Sequence, residues 1–167
     1  MQGKGVHVFC KSCGKKYELT EYGFMKATRG NTEFEHIPDW FEWQRNCVRK
    51  EIEAGEYLLN VPVDIYVLAD TKYLYRVGEG ELTHNEQGFH LTGCEGKIDY
   101  KQKASSSYCL NADYFWYEIG DVIGIGDSKR LYYCFPKDAG DIVTKARLAT
   151  EEMYKIAASE RKAAKRG

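Results

Sequence analysis

Apolar residues along this chain recur at two different spacings. Over residues 37–56 they repeat every three to four positions, which predicts an amphipathic helix with Pro38 in its first turn and Gly55 as its cap. The predicted apolar half of this helix carries Ile37, Trp40, Phe41, Trp43, Cys47, Val48 and Ile52. Because that strip is wide and aromatic, we interpret it as a core face, not as a ligand site.

From Tyr57 to Pro136 the spacing changes to alternation, as in Val61–Ala69. Polar and glycine-rich turns at 70–72, 85–88 and 126–129 interrupt the alternation. The region therefore predicts seven short antiparallel strands linked by hairpins.

A second helical pattern closes the chain. Its predicted apolar stripe comprises Ile142, Ala146, Ala149, Met153, Ile156 and Ala157. Seven antiparallel strands followed by one helix predict an α+β fold, mainly antiparallel β. By analogy we expect a small bent sheet or barrel of the pleckstrin-homology or GRAM type, closed by the C-terminal helix. A lipocalin-like or split barrel is the alternative.

The same patterns predict four segments. Residues 1–36 form a partial zinc-ribbon-like segment and 37–56 an amphipathic linking helix. Residues 57–160 form the antiparallel β domain with its helix, and 161–167 a basic tail that frays into solvent.

Cys10 and Cys13, followed by Gly14, are the sharpest local motif. Two thiolates at this spacing can chelate one metal ion, but a structural zinc site needs four ligands. The pair is therefore half of a zinc site, whose second pair we expect upstream. The alternatives are a plain reduced turn, or zinc completed by a second chain in a homodimer or by His7 and Cys47.

Composition limits the partners. Lys and Arg number 24 and Asp and Glu 25, and this balance argues against a dedicated nucleic-acid binder. Apolar runs are too short to span a bilayer, and the chain opens on no secretion leader, so we expect a cytoplasmic protein.

The densest aromatic stretch is Tyr114, Phe115, Trp116 and Tyr117. If exposed, it is an interaction surface for a membrane or a protein partner. If buried, it is sheet core, which is the interpretation we favour. An enzymatic alternative uses His84, Asp99 or Asp113, although the chain has no G-x-S-x-G nucleophile motif.

Six runs of residues carry a family resemblance. They are Cys10-x-x-Cys13-Gly14-Lys15-x-Tyr17-x-Leu19, Glu21-x-Gly23, Phe34-x-His36-Ile37-Pro38-Asp39-Trp40-x-Glu42-Trp43, Cys47-Val48-Arg49-Lys50-Glu51-Ile52, Gly80-x-Leu82-Thr83-His84-Asn85-Glu86-x-Gly88-Phe89 and Thr144-Lys145-x-Arg147-Leu148-Ala149-Thr150-Glu151-Glu152-Met153-Tyr154. With them the chain resembles the C-terminal extension of bacterial (Firmicutes-type) 1-acyl-sn-glycerol-3-phosphate acyltransferases. In that family a lipid acyltransferase domain comes first, and a zinc-ribbon-like segment and a β-rich tail follow.

The family's catalytic motif is His-x-x-x-x-Asp, in which the histidine acts as the base. Five positions after the four histidines stand Ser12, Phe41, Phe89 and Glu95, none of them aspartate. The resemblance therefore places no catalytic residue on this chain. It implies a non-catalytic accessory domain of a phospholipid-synthesis acyltransferase, held near the membrane through the parent protein. The domain would dock to a membrane, an acyl carrier, a partner subunit or an upstream acyltransferase domain. The alternatives are a stand-alone interaction module with shared zinc and a small β-barrel enzyme.

Overall fold

The computed structural model describes residues 2–10, 13–69, 73–137 and 142–164. The predicted turn at 70–72, the two residues inside the CxxC motif and the chain end at 165–167 lie outside these ranges. The chain divides into two compact units, Met1–Cys47 and Val48–Gly167. The boundary falls within helix α1, Ile37–Glu53.

The first unit contains a four-stranded antiparallel meander. Its strands are β1 (Gln2–Lys4), β2 (His7–Phe9), β3 (Lys16–Leu19) and β4 (Met25–Ala27), hydrogen-bonded in that order. Tyr17 and Met25 are buried on one face, whereas His7 and Lys16 lie on the other. Strand β1 has no apolar residue, so hydrophobic alternation does not predict it.

Helix α1 has the predicted end and a narrower core face than predicted. Gly55 has φ +69° and its N–H donates to the Ile52 carbonyl at 3.0 Å, so the predicted glycine cap is confirmed. Val48 and Ile52 are buried, but Ile37 and Trp43 are 41% and 52% exposed. The prediction of a core face is therefore wrong for Ile37 and Trp43, whereas Trp40 and Phe41 are half-buried. Spacing reports which way side chains point, not whether enough neighbouring residues exist to cover them.

The second unit contains a seven-stranded antiparallel sheet, with its strands at the predicted places. They are β5 (Leu59–Leu68), β6 (Leu74–Asn85), β7 (Gly88–Gly93), β8 (Ile98–Lys103), β9 (Asn111–Trp116), β10 (Gly120–Gly126) and β11 (Leu131–Pro136). Their order across the sheet is β8-β7-β6-β5-β11-β10-β9. Strands β5 to β8 and strands β9 to β11 each form a run of consecutive neighbours, and the pairing of β5 with β11 joins the two runs into one sheet.

The main core lies on the inner face of this sheet. The register sets Ile65 opposite Cys134 and Cys134 opposite Ile123, and all three are fully buried. Helix α2, Ile142–Ala164, packs on β9, β10 and a short 3-10 turn at Ala104–Ser106. Because α2 continues to Ala164, the first four residues of the predicted basic tail are helical and not frayed.

The predicted fold class is confirmed at the level of an α+β chain with mostly antiparallel sheets and a C-terminal helix. Strands β8 and β9 form the two edges, and no ladder joins them among the described residues, so these ladders do not close a barrel. One side chain reaches across the sheet. The buried Gln102 of β8 accepts a hydrogen bond from the Gly126 N–H of β10 at 2.8 Å.

Candidate functional site

The CxxC motif lies on the connection between β2 and β3. The Cys10 N–H donates to the Lys15 carbonyl at 2.8 Å, and the Gly14 N–H donates to the Cys10 carbonyl at 2.9 Å. Gly14 adopts φ +72°, a conformation that glycine reaches without steric cost. These two hydrogen bonds close the connection that carries both thiols.

Cys10 and Cys13 are two potential metal ligands on this turn. Within the described ranges, no third histidine, cysteine or carboxylate joins Cys10 and Cys13 in a group able to hold a metal ion, and this includes His7 and Cys47. A structural zinc site takes four nitrogen or sulfur ligands. The described residues do not fit a complete zinc site within one chain.

A basic cleft of about 1330 Å³ lies beside the CxxC turn. Its described lining consists of Lys4, Gly5, His7, Phe9, Cys13, Gly14, Lys15, Lys16, Thr28 and Arg29. None of these residues is acidic. No sequence pattern predicts this cleft, because its cations come from separate segments that only the strand pairing brings together.

We call residues 113–121, which join β9 to β10, the aromatic hairpin. Tyr114, Phe115 and Tyr117 are 48%, 68% and 54% exposed. Trp116 instead packs inward, with its ring centroid 4.5 Å from that of Tyr133. The interpretation of this stretch as sheet core is therefore correct for Trp116 and wrong for the other three aromatic residues.

Local hydrogen bonds hold the aromatic hairpin in an unusual backbone conformation. Phe115, Tyr117 and Glu118 have φ of +51°, +50° and +58°, which costs a residue with a Cβ about 1 kcal/mol. The Asp121 carboxylate accepts from the Phe115 N–H at 3.1 Å, and the Asp113 carboxylate accepts from the N–H of residue 114 at 2.8 Å. Such strain persists only where the surrounding structure over-determines it, and it is concentrated at binding and catalytic sites.

The residues of the enzymatic alternative do not converge. His84 is 1% exposed and lies on the inner face of the sheet, opposite Phe89. Asp99 lies on the outer face, where its carboxylate is 2.7 Å from the His90 imidazole. Asp113 is exposed in the aromatic hairpin. The described residues therefore do not assemble a catalytic group from these three.

His84 belongs to a buried polar contact that the sequence did not reveal. Its Nδ1 is 3.0 Å from the Tyr57 hydroxyl, and its ring stacks on Phe89 at 3.7 Å. Burial lowers the pKa of His84 from 6.5 to about 3 and raises that of Tyr57. Both side chains are therefore neutral at pH 7, and we assign them a structural role.

A second unforeseen contact is a buried carboxylate on α2. Glu152 is 2% exposed, and its carboxylate accepts hydrogen bonds from Arg49 at 2.7 Å and from Lys155 at 2.6 Å. The helical pattern places Glu152 outside the predicted stripe of α2 and Arg49 on the polar half of α1. This contact joins the C-terminal part of α1 to α2 within the second unit.

Comparison with known proteins adds no identity to this geometry. No protein-family model matches the chain, and no curated protein matches its sequence. In the described part of the chain, no helix is both long and apolar enough to cross a membrane.

Proposed function

We propose that this chain is a non-catalytic accessory domain of a phospholipid-synthesis acyltransferase, and that the aromatic hairpin is its docking surface. The exposure of Tyr114, Phe115 and Tyr117 on a strained hairpin carries the docking part of this proposal. The acyltransferase assignment is supported by the family resemblance of the sequence. The absence of His-x-x-x-x-Asp supports a role without acyl transfer.

The charges of the aromatic hairpin favour a protein partner. Asp113, Glu118 and Asp121 surround the exposed rings, and residues 113–121 include no lysine or arginine. An anionic bilayer would be repelled by this rim, whereas a protein surface with an apolar centre and a basic rim would complement it. We therefore assign the hairpin to the acyltransferase domain itself and not to the lipid surface.

We further propose that the sheet of the second unit is of the pleckstrin-homology or GRAM type. Two features support this: the strand order, in which two meanders meet at β5 and β11, and the helix that follows the last strand. The Gln102 contact between β8 and β10 indicates the strong bend that such a sheet needs. We place the protein in the cytoplasm, held at the membrane through its acyltransferase partner.

The docking proposal is tested with the full chain and a separately purified His-x-x-x-x-Asp acyltransferase from the same organism. We expect a measurable complex by isothermal titration calorimetry. Replacement of two exposed rings, Phe115→Ser with Tyr117→Ser, should weaken it at least about tenfold, because exposed aromatic residues dominate such interfaces. A matched control, Tyr22→Ser with Leu58→Ser, removes equally exposed side chains elsewhere and should leave the affinity unchanged.

Other outcomes of these binding and activity measurements would support a different function. Binding to phosphatidylcholine or phosphatidylglycerol vesicles that requires Phe115 and Tyr117, without binding to the acyltransferase, would replace the protein partner by a membrane. Binding to the acyltransferase that the hairpin substitutions leave intact would show that docking uses another surface. Acyl transfer by the purified chain alone would contradict the accessory role.

A further inference from the structure

The basic cleft of the first unit lies on the polar face of the four-stranded sheet. The register pairs Lys4 with His7 and Phe9 with Lys16, which puts these side chains on the face opposite the buried Tyr17. Lys15, Thr28 and Arg29 from the adjoining turns complete the wall. Cationic side chains from three parts of the unit therefore converge on one concave surface.

Three of these cations have no acidic partner. Among the residues that the structure describes, no carboxylate forms an ion pair with Lys4, Lys16 or Arg29. Lys15 differs, because it pairs with Glu33, which also accepts a hydrogen bond from the Tyr17 hydroxyl. The Lys15 bond holds the pKa of Glu33 at about 2, so this carboxylate stays charged and neutralises Lys15, which leaves Lys4, Lys16 and Arg29 as the cations available to a ligand.

Converging like charges repel one another, and an anion in the cleft would relieve that repulsion. Lysine and arginine form strong charge-assisted hydrogen bonds with phosphate oxygens. Three unpaired cations also exceed the charge of about −1.5 to −2 that a phosphate monoester carries at neutral pH. The cleft thus has enough positive charge for one such group.

We propose that the basic cleft binds a phosphate group, with Lys4, Lys16 and Arg29 as its charged ligands. A volume of about 1330 Å³ is far larger than phosphate alone, so the phosphate can belong to a larger molecule. Phe9 supplies an apolar wall for the remainder of that ligand. This site lies in the first unit and does not depend on the aromatic hairpin or on the function proposed for it.

The test is a ¹⁵N-resolved NMR titration of the full chain at low ionic strength. Inorganic phosphate should shift the amide signals of residues 4, 16 and 29 with a dissociation constant of about 0.1–1 mM, a value that rises with added salt. Phosphatidylglycerol vesicles, compared with phosphatidylcholine vesicles in a flotation assay, form the second arm. Tighter binding in that arm identifies a lipid headgroup as the source of the phosphate, and binding in the first arm alone identifies a free phosphate compound.

The matched variants decide whether the cleft is responsible. The triple variant Lys4→Gln, Lys16→Gln, Arg29→Gln should lose at least about tenfold in affinity. The control variant Lys26→Gln, Lys97→Gln, Lys162→Gln removes three equally exposed charges outside the cleft and should bind normally. All six positions are exposed, so circular dichroism should show both variants folded.

Three results would overturn the proposal. The first is no response to phosphate or to either vesicle. The second is equal binding by the triple variant and the wild type. The third is binding to a single-stranded oligonucleotide without any response to phosphate or anionic lipid, which would mark the cleft as a nucleic-acid surface.

Discussion

His84 is an imidazole that is kept neutral inside the second unit. Its folded-state pKa of about 3 lies below the ordinary value of 6.5, so between these values the unfolded chain binds more protons than the folded chain. The stabilisation from neutral His84 is therefore complete above about pH 6.5 and is lost progressively as the pH falls towards 3. The protein's stability in this range depends on a group that reaches no solvent.

Urea unfolding at pH 7 and pH 5 measures this effect. We expect the wild type to lose about 2 kcal/mol through His84 between the two values. His84→Gln removes the titration and should show a correspondingly smaller loss. Equal pH dependence in His84→Gln and the wild type would show that His84 can be protonated in the folded chain.

Because Glu152 is buried and its partner Arg49 is partly exposed, we expect replacement of the two residues to cost different amounts of unfolding free energy. Arg49→Met leaves the buried carboxylate with fewer donors and should cost about 2–3 kcal/mol of unfolding free energy. Glu152→Met fills the same space without a charge, and it releases Arg49 and Lys155, which reach solvent. It should therefore cost less than about 1.5 kcal/mol.

Chemical denaturation of both variants tests this asymmetry. Arg147→Met, which breaks an exposed pair on the same helix, is the control and should change stability by less than about 0.5 kcal/mol. If Glu152→Met proved the more damaging change, the carboxylate itself would be the main source of stability at this contact.

The paired strands β6 and β7 each carry a glycine at the same position of their ladder. Gly80 is directly opposite Gly93, and a Cβ on Gly80 would lie 2.2 Å from the Thr92 carbonyl oxygen. Real Cβ atoms do not approach oxygen so closely, so the backbone of β6 or of β7 would have to move to accommodate a side chain at Gly80. The two glycines allow the backbones to approach closely at the last pair of the β6–β7 ladder.

Gly80→Ala should therefore destabilise the second unit by about 1–3 kcal/mol, as overpacking does in a filled core. The measurement is the unfolding free energy from urea titration. Gly3→Ala is the control, because a Cβ there meets nothing within 4 Å and the change should be small. An equal effect in both variants would point to general strand propensity instead of close approach.

Most elements could be predicted from spacing, because alternation reports the one-sided burial of a strand. All seven strands of the second unit and the Gly55 cap follow from such local signals. The exposed start of α1 could not be predicted, since Trp43 has the right spacing for a core face but too few neighbours to cover it. Glu152 could not be found either, because its partner Arg49 is far away in sequence.

The candidate sites were less predictable than the fold. The CxxC pair and the aromatic stretch are contiguous and could be found by reading along the chain. Whether Phe115 is buried depends on its φ of +51° and on edge strand β9, which no spacing rule provides. The basic cleft requires the pairing of β1 with β2 and of β2 with β3, so it appears only in three dimensions.

At the scale of the whole molecule, the two thiols of Cys10 and Cys13 lead us to propose that zinc, if bound, is shared between two copies of the chain. Cys10 and Cys13 give two thiolates, so four-coordinate zinc would recruit the same pair from a second copy. We expect added zinc to shift the reduced protein towards a dimer with one zinc per two chains in sedimentation equilibrium. Cys10→Ser with Cys13→Ser should abolish the shift. Tight binding of one zinc by a monomer would show that the same chain supplies further ligands.

The hydrogen bond from the Gly126 N–H to the Gln102 side chain provides a local probe of the contact between β8 and β10. The Gly126 N–H donates to that side chain, so part of its protection from deuterium exchange depends on β8 and β10 remaining close. Parting of the two strands would expose this one proton while the ladder between β10 and β11 stayed intact. The exchange rate of the Gly126 amide therefore measures local separation of β8 from β10, which global unfolding experiments do not detect.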